Sequence, residues 1–222
     1  MARLARVVVP GVPHHVTQRG NRGLETFLRE EDYETYRGLL AERASEAGVA
    51  IWAYCLMPNH VHLILVPPNA DGLRAALGET HRRYTKHINL REGWQGHLWQ
   101  ERFHSYPMDE AHLLAAARYI ERNPVSAGLA KDPSDWRWSS AKAHLSGSDD
   151  TLVSVAPMLE RVPDWRAFVD QETAPEMGRR IELHTRTGRP LGDDAFLKSL
   201  ESQLGRSLKR KSPGRPRKKP PG

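Results

Sequence analysis

The sequence predicts an α+β fold built around one antiparallel sheet. Segments with the two-residue period of strands alternate with segments with the 3.6-residue period of helices, in the order β-α-β-β-α-β-α. The second and third strands are joined only by Met57-Pro58-Asn59, a turn sequence typical of a hairpin. This order is close to the ferredoxin-like plan, and we expect the helices to cover one face of the sheet.

Local residue patterns indicate where each element begins and ends. Gly48 ends the first helix, Asp109 caps the third helix, and Pro124 helps to terminate it. Apolar segments rich in β-branched and aromatic residues predict strands at residues 7–9 with 14–18, 49–56, 60–66 and 98–106. Amphipathic segments predict helices at residues 30–47, 71–89 and 110–123.

Composition divides the chain into a main domain at residues 1–148, a small helical extension at 149–205 and a disordered basic tail at 206–222. The chain has 33 Lys and Arg against 27 Asp and Glu, a net charge of +6. Eight of the basic residues and no acidic residue lie in the tail, so the remainder carries −2. The tail predicts binding to a polyanion such as nucleic acid; a solvated tail that keeps the chain in solution is the alternative.

The compartment is predicted from what the sequence lacks. Cys55 is the only cysteine, so no disulfide can form within the chain. No apolar run approaches the roughly 18 residues that cross a bilayer, and the apolar run within residues 1–13 is too short for a signal peptide. We therefore expect a cytoplasmic protein that does not enter the membrane.

Two histidines on the third predicted strand form a candidate metal site. Because side chains alternate along a strand, His60 and His62 share one face and lie roughly 7 Å apart, close enough to bind one cation. Such a site needs a third ligand from elsewhere. The alternative is a pair of satisfied polar residues at the end of the sheet.

The third predicted helix places Tyr119 and Asn123 four residues apart, one above the other on the same face. A tyrosine at this spacing is usually part of an amphipathic core, so spacing alone does not make it catalytic.

Several motifs in order carry a resemblance to a known family. They are His15-Val-Thr-Gln-Arg-Gly-Asn-Arg22, Met57-Pro-Asn-His-Val-His-Leu63, Leu98-Trp-Gln-Glu-Arg-Phe103, Tyr119-Ile-Glu-Arg-Asn-Pro124 and Trp136-Arg-Trp-Ser-Ser140. Over residues 14 to about 145 the chain resembles the REP-associated tyrosine transposases, which belong to the HUH (His-hydrophobe-His) single-strand DNA transposases. The main domain would then be an HUH catalytic domain.

The resemblance implies a nuclease that cleaves and rejoins single-stranded or stem-loop DNA at hairpin-forming palindromic repeats. His60, His62 and Asn123 would hold Mg²⁺ or Mn²⁺, and Tyr119 would attack the phosphorus to give a 5′-phosphotyrosine and a free 3′-OH. It also implies association with the nucleoid, as a monomer or a homodimer. The chain departs from relatives at Asn123, where insertion-sequence members have Gln, and at Gly23 and Ser126, where Arg is common.

Basic and aromatic residues are candidates for DNA contact. Trp94, Trp99, Trp136 and Trp138 could stack on unpaired bases, although at least two are expected to be core residues. The segment at 213–218 resembles an AT-hook that binds the minor groove of duplex DNA, with non-specific binding by the tail as the alternative. The predicted basic contacts, each of which could instead be a solvated surface charge, are Arg19, Arg22, Arg82, Arg83, Lys86, Arg102, Arg215 and Arg217.

Two other functions fit the same residues. A catalytically silent regulator would bind nucleic acid without cleaving it. A metal-dependent phosphodiesterase would use water as its nucleophile and form no adduct between protein and DNA.

Overall fold

The computed structural model describes residues 6–208 of the chain. Within this range the strands are β1 (His14–Arg19), β2 (Ala50–Met57), β3 (His60–Val66) and β4 (His104–Pro107). The α-helices are α1 (Glu30–Glu46), α2 (Gly72–Glu92), α3 (Glu110–Ser126), α4 (Ala141–Ser146), α5 (Ala156–Leu159), α6 (Trp165–Asp170), α7 (Pro175–Thr187) and α8 (Asp194–Leu204).

The strands form one sheet in the order β2-β3-β1-β4, and every neighbouring pair is antiparallel. This confirms the predicted α+β class and the antiparallel sheet. In the register of β1 with β3, Thr17 lies opposite His62 and Arg19 lies opposite His60. The two histidines are therefore at the end of the sheet where the loop after β1 begins.

Helices cover both faces of this sheet, so the prediction that they lie on one face is wrong. Tyr36 and Leu40 of α1 and Leu73 of α2 are buried in a core on one face. Leu113 and Ile120 of α3 are buried in a second core on the opposite face. Because β2 and β3 are apolar at nearly every position, both of their faces must be shielded from water.

Among the differences between predicted and observed boundaries, three concern the sheet and α3. Residues 98–103 leave the sheet, with Trp99 making only an isolated bridge to Gly20, so β4 is a short strand. Residues 7–9 are not a strand. Helix α3 continues through Pro124 to Ser126, because a proline near a helix end removes only one amide donor from the helix.

The C-terminal extension packs onto the main domain. Trp165 of α6, Ile181 of α7 and Leu191 are buried in the same core as α3. Leu208 packs with Val7, Val9 and Leu200 in a small third core, two residues beyond the predicted start of the tail at residue 206. Arg215, Arg217 and the AT-hook-like segment lie outside the described residues.

None of the helices between residues 6 and 208 has both the length and the apolar character needed to span a bilayer.

Candidate active site

Strand β3 directs His60 and His62 towards α3. Val61 and Leu63, which alternate with them, are buried in the core on the other face. The two imidazole rings meet edge to face, with their centroids 4.9 Å apart. His62 is buried and His60 is partly exposed, so the pair forms the floor of a site that is open on the side of His60.

Each of these rings is held through its Nδ1 atom. His60 Nδ1 lies 2.6 Å from Asn59 Oδ1, and His62 Nδ1 lies 3.0 Å from His15 Nε2. The Asn59 amide is oriented by its own Nδ2, which donates to the carbonyl of Gly23 at 3.0 Å. Within residues 6–208, neither His60 Nε2 nor His62 Nε2 has a protein hydrogen-bond partner, so both are available to a ligand.

The environment keeps both rings neutral at physiological pH. Burial lowers the pKa of His60 to about 4, and the positive charge of Arg19 adds to this effect. Burial also lowers the pKa of His62 well below its usual value, with smaller contributions from His60, His15 and Arg19. A neutral imidazole is the form that coordinates a metal ion.

Helix α3 brings Tyr119 over the histidine pair. Its ring centroid is 5.7 Å from that of His62, with the rings nearly perpendicular. Burial raises the pKa of Tyr119, the negative charge of Glu182 raises it further, and a hydrogen bond from Asn123 opposes both. The phenol is therefore protonated at neutral pH and needs further stabilisation of its anion to act as a nucleophile.

One cleft of about 670 Å³ unites these residues. The predicted residues His60, His62, Tyr119 and Asn123 all line it, although they come from two elements far apart in the sequence. The wall that the sequence did not predict is supplied by α7, through Ile181, Glu182, Thr185 and Arg186. No motif in residues 175–187 suggests a site, and only the amphipathic pattern of this segment could have predicted its packing.

The donor set fits a divalent cation held together with phosphate. No cluster of three His, Cys, Asp or Glu side chains suited to a metal is found in the described part of the chain. The available donors are the Nε2 atoms of His60 and His62 and the amide oxygen of Asn123, and such a set leaves positions open for substrate oxygens.

The loop after β1 is fixed to the β2–β3 turn. The amide of Gly20 donates to the carbonyl of Asn59 at 2.8 Å. A Cβ atom at position 20 would collide with the carbonyl oxygen of Leu24, so only glycine fits at this point of the loop. The contact places Arg19 at the rim of the cleft.

The other predicted basic contacts are divided between two surfaces. Arg102 lines a smaller pocket beside the cleft, together with Arg186. On α2, which packs on the opposite face of the sheet from α3, Arg82 and Arg83 both form ion pairs with Glu79. Lys86 is exposed on that helix, and Arg22 lies in the 20–23 loop with a φ of +56°. The structure thus brings Arg19 and Arg102 near the cleft but not the α2 residues, whose contact with DNA stays a prediction.

The tryptophans are mostly structural. Trp99 and Trp138 are buried, as expected for at least two of the four. Trp136 donates its indole N–H to the carbonyl of Leu56, whereas Trp94 is 47% exposed and remains available for stacking.

The chain is similar in sequence to known transposases. The family model described as "Transposase IS200 like" matches residues 13–123, half of the chain. A REP-associated tyrosine transposase of Escherichia coli (strain K12) is 25% identical over 120 residues, covering 54% of this chain and 70% of that protein. A Haemophilus influenzae protein with the provisional name REP-associated tyrosine transposase is 27% identical over 99 residues, covering 40% of this chain. The chain spans only 56% of the length of that protein.

A solved structure of a REP-associated tyrosine transposase bound to a REP hairpin superimposes with a TM-score of 0.54 at 23% identity. The match covers 69% of this chain and 92% of that one, and it shows a shared fold. In this chain the shared fold is an antiparallel sheet in which a His-hydrophobe-His strand faces a tyrosine on a helix. The chain belongs to the IS200-like transposase family, and its resemblance to the REP-associated tyrosine transposases is confirmed.

Proposed function

We propose that the protein is a metal-dependent single-strand DNA endonuclease and strand transferase that uses Tyr119 as its nucleophile. The observation that supports this most directly is that His60, His62, Tyr119 and Asn123 line one cleft although only the fold brings them together. Membership of a transposase family supports the same class of reaction.

In the proposed step, Tyr119 Oη attacks the phosphorus of a phosphodiester. The Oη–P bond forms and the P–O3′ bond breaks. The phenolic proton leaves Tyr119, and the departing oxygen takes up a proton to become a free 3′-OH. The strand downstream of the cut remains attached to the protein through its 5′-phosphate, as a phosphotyrosine. Attack by a 3′-OH on this phosphorus reverses the step and rejoins a strand without ATP.

His60, His62 and Asn123 would hold Mg²⁺ or Mn²⁺ beside the scissile phosphate. When bound, such a cation would neutralise non-bridging oxygens and favour the phenolate. Asn123 would also position Tyr119, because its side chain contacts the phenol one helical turn away. Asn59 and His15 would hold the two imidazoles with their Nε2 atoms towards the cleft.

The proposed substrate is single-stranded or stem-loop DNA that carries palindromic repeats able to form hairpins. Support comes from the superimposed transposase, which is bound to a REP hairpin. Arg19 and Arg102 would bind phosphates beside the cleft, and Arg215 and Arg217 of the tail would add contact with duplex DNA. The proposed location is the nucleoid, and the protein would act there as a monomer or a homodimer.

The test uses labelled single-stranded oligonucleotides with the host's palindromic repeats, incubated with Mg²⁺, Mn²⁺ or a chelator. Wild-type protein should give a covalent adduct on a denaturing gel, and Tyr119→Phe should give none. His62→Ala should slow cleavage by about 100-fold or more, as expected when roughly 3 kcal/mol of transition-state stabilisation is lost.

Tyr33→Phe is the matched control, because Tyr33 is a buried tyrosine packed against Phe27 and Trp138 on the other face of the sheet. This variant should form the adduct as the wild type does. Cleavage without an adduct would identify the phosphodiesterase that uses water. Binding without cleavage under every metal, unchanged by Tyr119→Phe, would identify the silent regulator.

A further inference from the structure

A chain of hydrogen bonds leads away from the cleft behind His62. His62 Nδ1 lies 3.0 Å from His15 Nε2, and His15 Nδ1 lies 2.7 Å from the hydroxyl of Tyr106. That hydroxyl lies 3.4 Å from the carbonyl oxygen of Ile181 on α7. His15 and Tyr106 are fully buried, so no bulk water competes for these contacts.

Packing also fixes the rings of the hydrogen-bonded residues His62, His15 and Tyr106. His15 stacks on His62, with 5.2 Å between centroids and 10° between planes. Tyr106 meets His15 edge to face at 5.2 Å. A 180° turn of either imidazole would put a ring carbon in place of the bonded nitrogen, so each histidine would lose its hydrogen bond.

The partners of Tyr106 on α7 favour one direction for these hydrogen bonds. A carbonyl oxygen can only accept, so the 3.4 Å contact with Ile181 is a hydrogen bond only when the Tyr106 hydroxyl donates towards α7, where the side chain of Thr185 is its second partner. The Tyr106 oxygen then accepts from His15 Nδ1–H. In the neutral ring this makes His15 Nε2 an acceptor, so His62 Nδ1 is the donor and His62 Nε2 carries the lone pair.

We propose that His15 and Tyr106 are positioning residues that hold His62 in the tautomer whose Nε2 lone pair faces the cleft. The opposite direction would place an N–H on His62 Nε2 and block coordination there. The inference rests on the proposed function, because it assigns these residues to the ligand set of the same site. It also assigns a role to Ile181 of the extension, which lies beyond residues 13–123 matched by the family model.

The asparagine beside His60 supports the same arrangement. Asn59 uses its amide nitrogen on Gly23, so its oxygen must accept from His60 Nδ1–H. Both ligand candidates are thus set with Nδ1 as donor and Nε2 as the free nitrogen. Two unrelated sets of contacts reach this result on neighbouring histidines.

The first experiment is a long-range ¹H–¹⁵N NMR spectrum of the metal-free wild-type protein, which distinguishes protonated from unprotonated ring nitrogens. His62 should show a protonated Nδ1 and an unprotonated Nε2. A protonated Nε2 would overturn the proposal. This readout needs no variant, no metal and no activity.

The second experiment measures binding of Mn²⁺ to wild type, His15→Phe and Tyr106→Phe. Phenylalanine at position 15 keeps the stacked ring but leaves His62 Nδ1–H without an acceptor. The Kd of the His15→Phe protein for Mn²⁺ should rise about 10- to 100-fold, the usual cost of losing a group that orients a ligand. Tyr106→Phe should change the Kd in the same direction. An unchanged Kd in a folded His15→Phe protein would overturn the proposal.

His14→Phe is the matched control, because His14 is the adjacent buried histidine of β1 on the opposite face. Its ring contacts the backbone of Val9 and Val12, so the Kd for Mn²⁺ should stay at the wild-type value. If wild type binds no Mn²⁺, the metal part of the proposed function fails, and the tautomer alone decides the inference. If His15→Phe does not fold, the wild-type spectrum and Tyr106→Phe decide it.

Discussion

The buried imidazole of His81 should make folding stability fall as the pH drops below neutral. His81 lies on α2, with its Nε2 3.0 Å from the hydroxyl of Tyr36 and its ring 4.9 Å from that of Trp99. Burial lowers its pKa from 6.5 to about 3. The folded ring therefore stays neutral over a range of pH in which the unfolded ring gains a proton.

The sign and size of the effect follow from this difference. Between pH 6.5 and 3 the unfolded state binds more protons, so the stabilisation is complete above pH 6.5 and is lost as the pH falls. From pH 7 to pH 5 the loss is about 2 kcal/mol for this one residue. That is a large part of the roughly 5–15 kcal/mol that stabilises a folded domain.

Urea unfolding at pH 7, 6 and 5 would measure this loss of folding stability in wild type and in His81→Gln. Glutamine can keep the hydrogen bond to Tyr36 but cannot titrate, so wild type should lose about 2 kcal/mol more than the variant between pH 7 and 5. His87→Gln is the control on the same helix, because His87 is exposed, and it should follow wild type. Parallel curves for wild type and His81→Gln would refute the reasoning.

Two further predictions concern a buried carboxylate and the cleft. Glu121 of α3 is fully buried and accepts hydrogen bonds from Ser140, His144 and Trp165 at 2.6, 2.6 and 2.8 Å. Glu121→Leu should lower the free energy of unfolding by about 3–5 kcal/mol because it leaves these buried donors unpaired. A loss below about 1 kcal/mol would contradict this prediction. Arg19→Ala should weaken binding of single-stranded DNA and reduce the slope of log K against log salt by about 0.7, whereas Arg82→Ala should leave the slope unchanged, and the reverse result would place the DNA on α2.

The parts of the site that could be predicted from the sequence are those set by local periodicity. Alternation along β3 placed His60 and His62 on one face, and helical spacing placed Tyr119 above Asn123. Both statements hold because a strand or helix of known extent fixes the directions of its own side chains.

What could not be predicted depends on contacts between distant segments. Residues 98–103 are rich in β-formers, but Trp99 and Phe103 are buried in the core while their backbone leaves the sheet. Likewise, nothing local indicates that α3 covers the opposite face from α1 and α2. The contact between Tyr106 and Ile181 joins residues 75 positions apart, so no pattern along the chain could have indicated it.

The family match and the hydrophobic core around α3 end at different points of the sequence. Residues 13–123 match the family model, yet the core around α3 is closed by Trp165, Ile181 and Leu191. A polypeptide cut at residue 148 would keep every proposed ligand and the proposed nucleophile, but it would uncover the part of this core that packs on the extension. The segment matched by the family model therefore does not contain all of the core around α3.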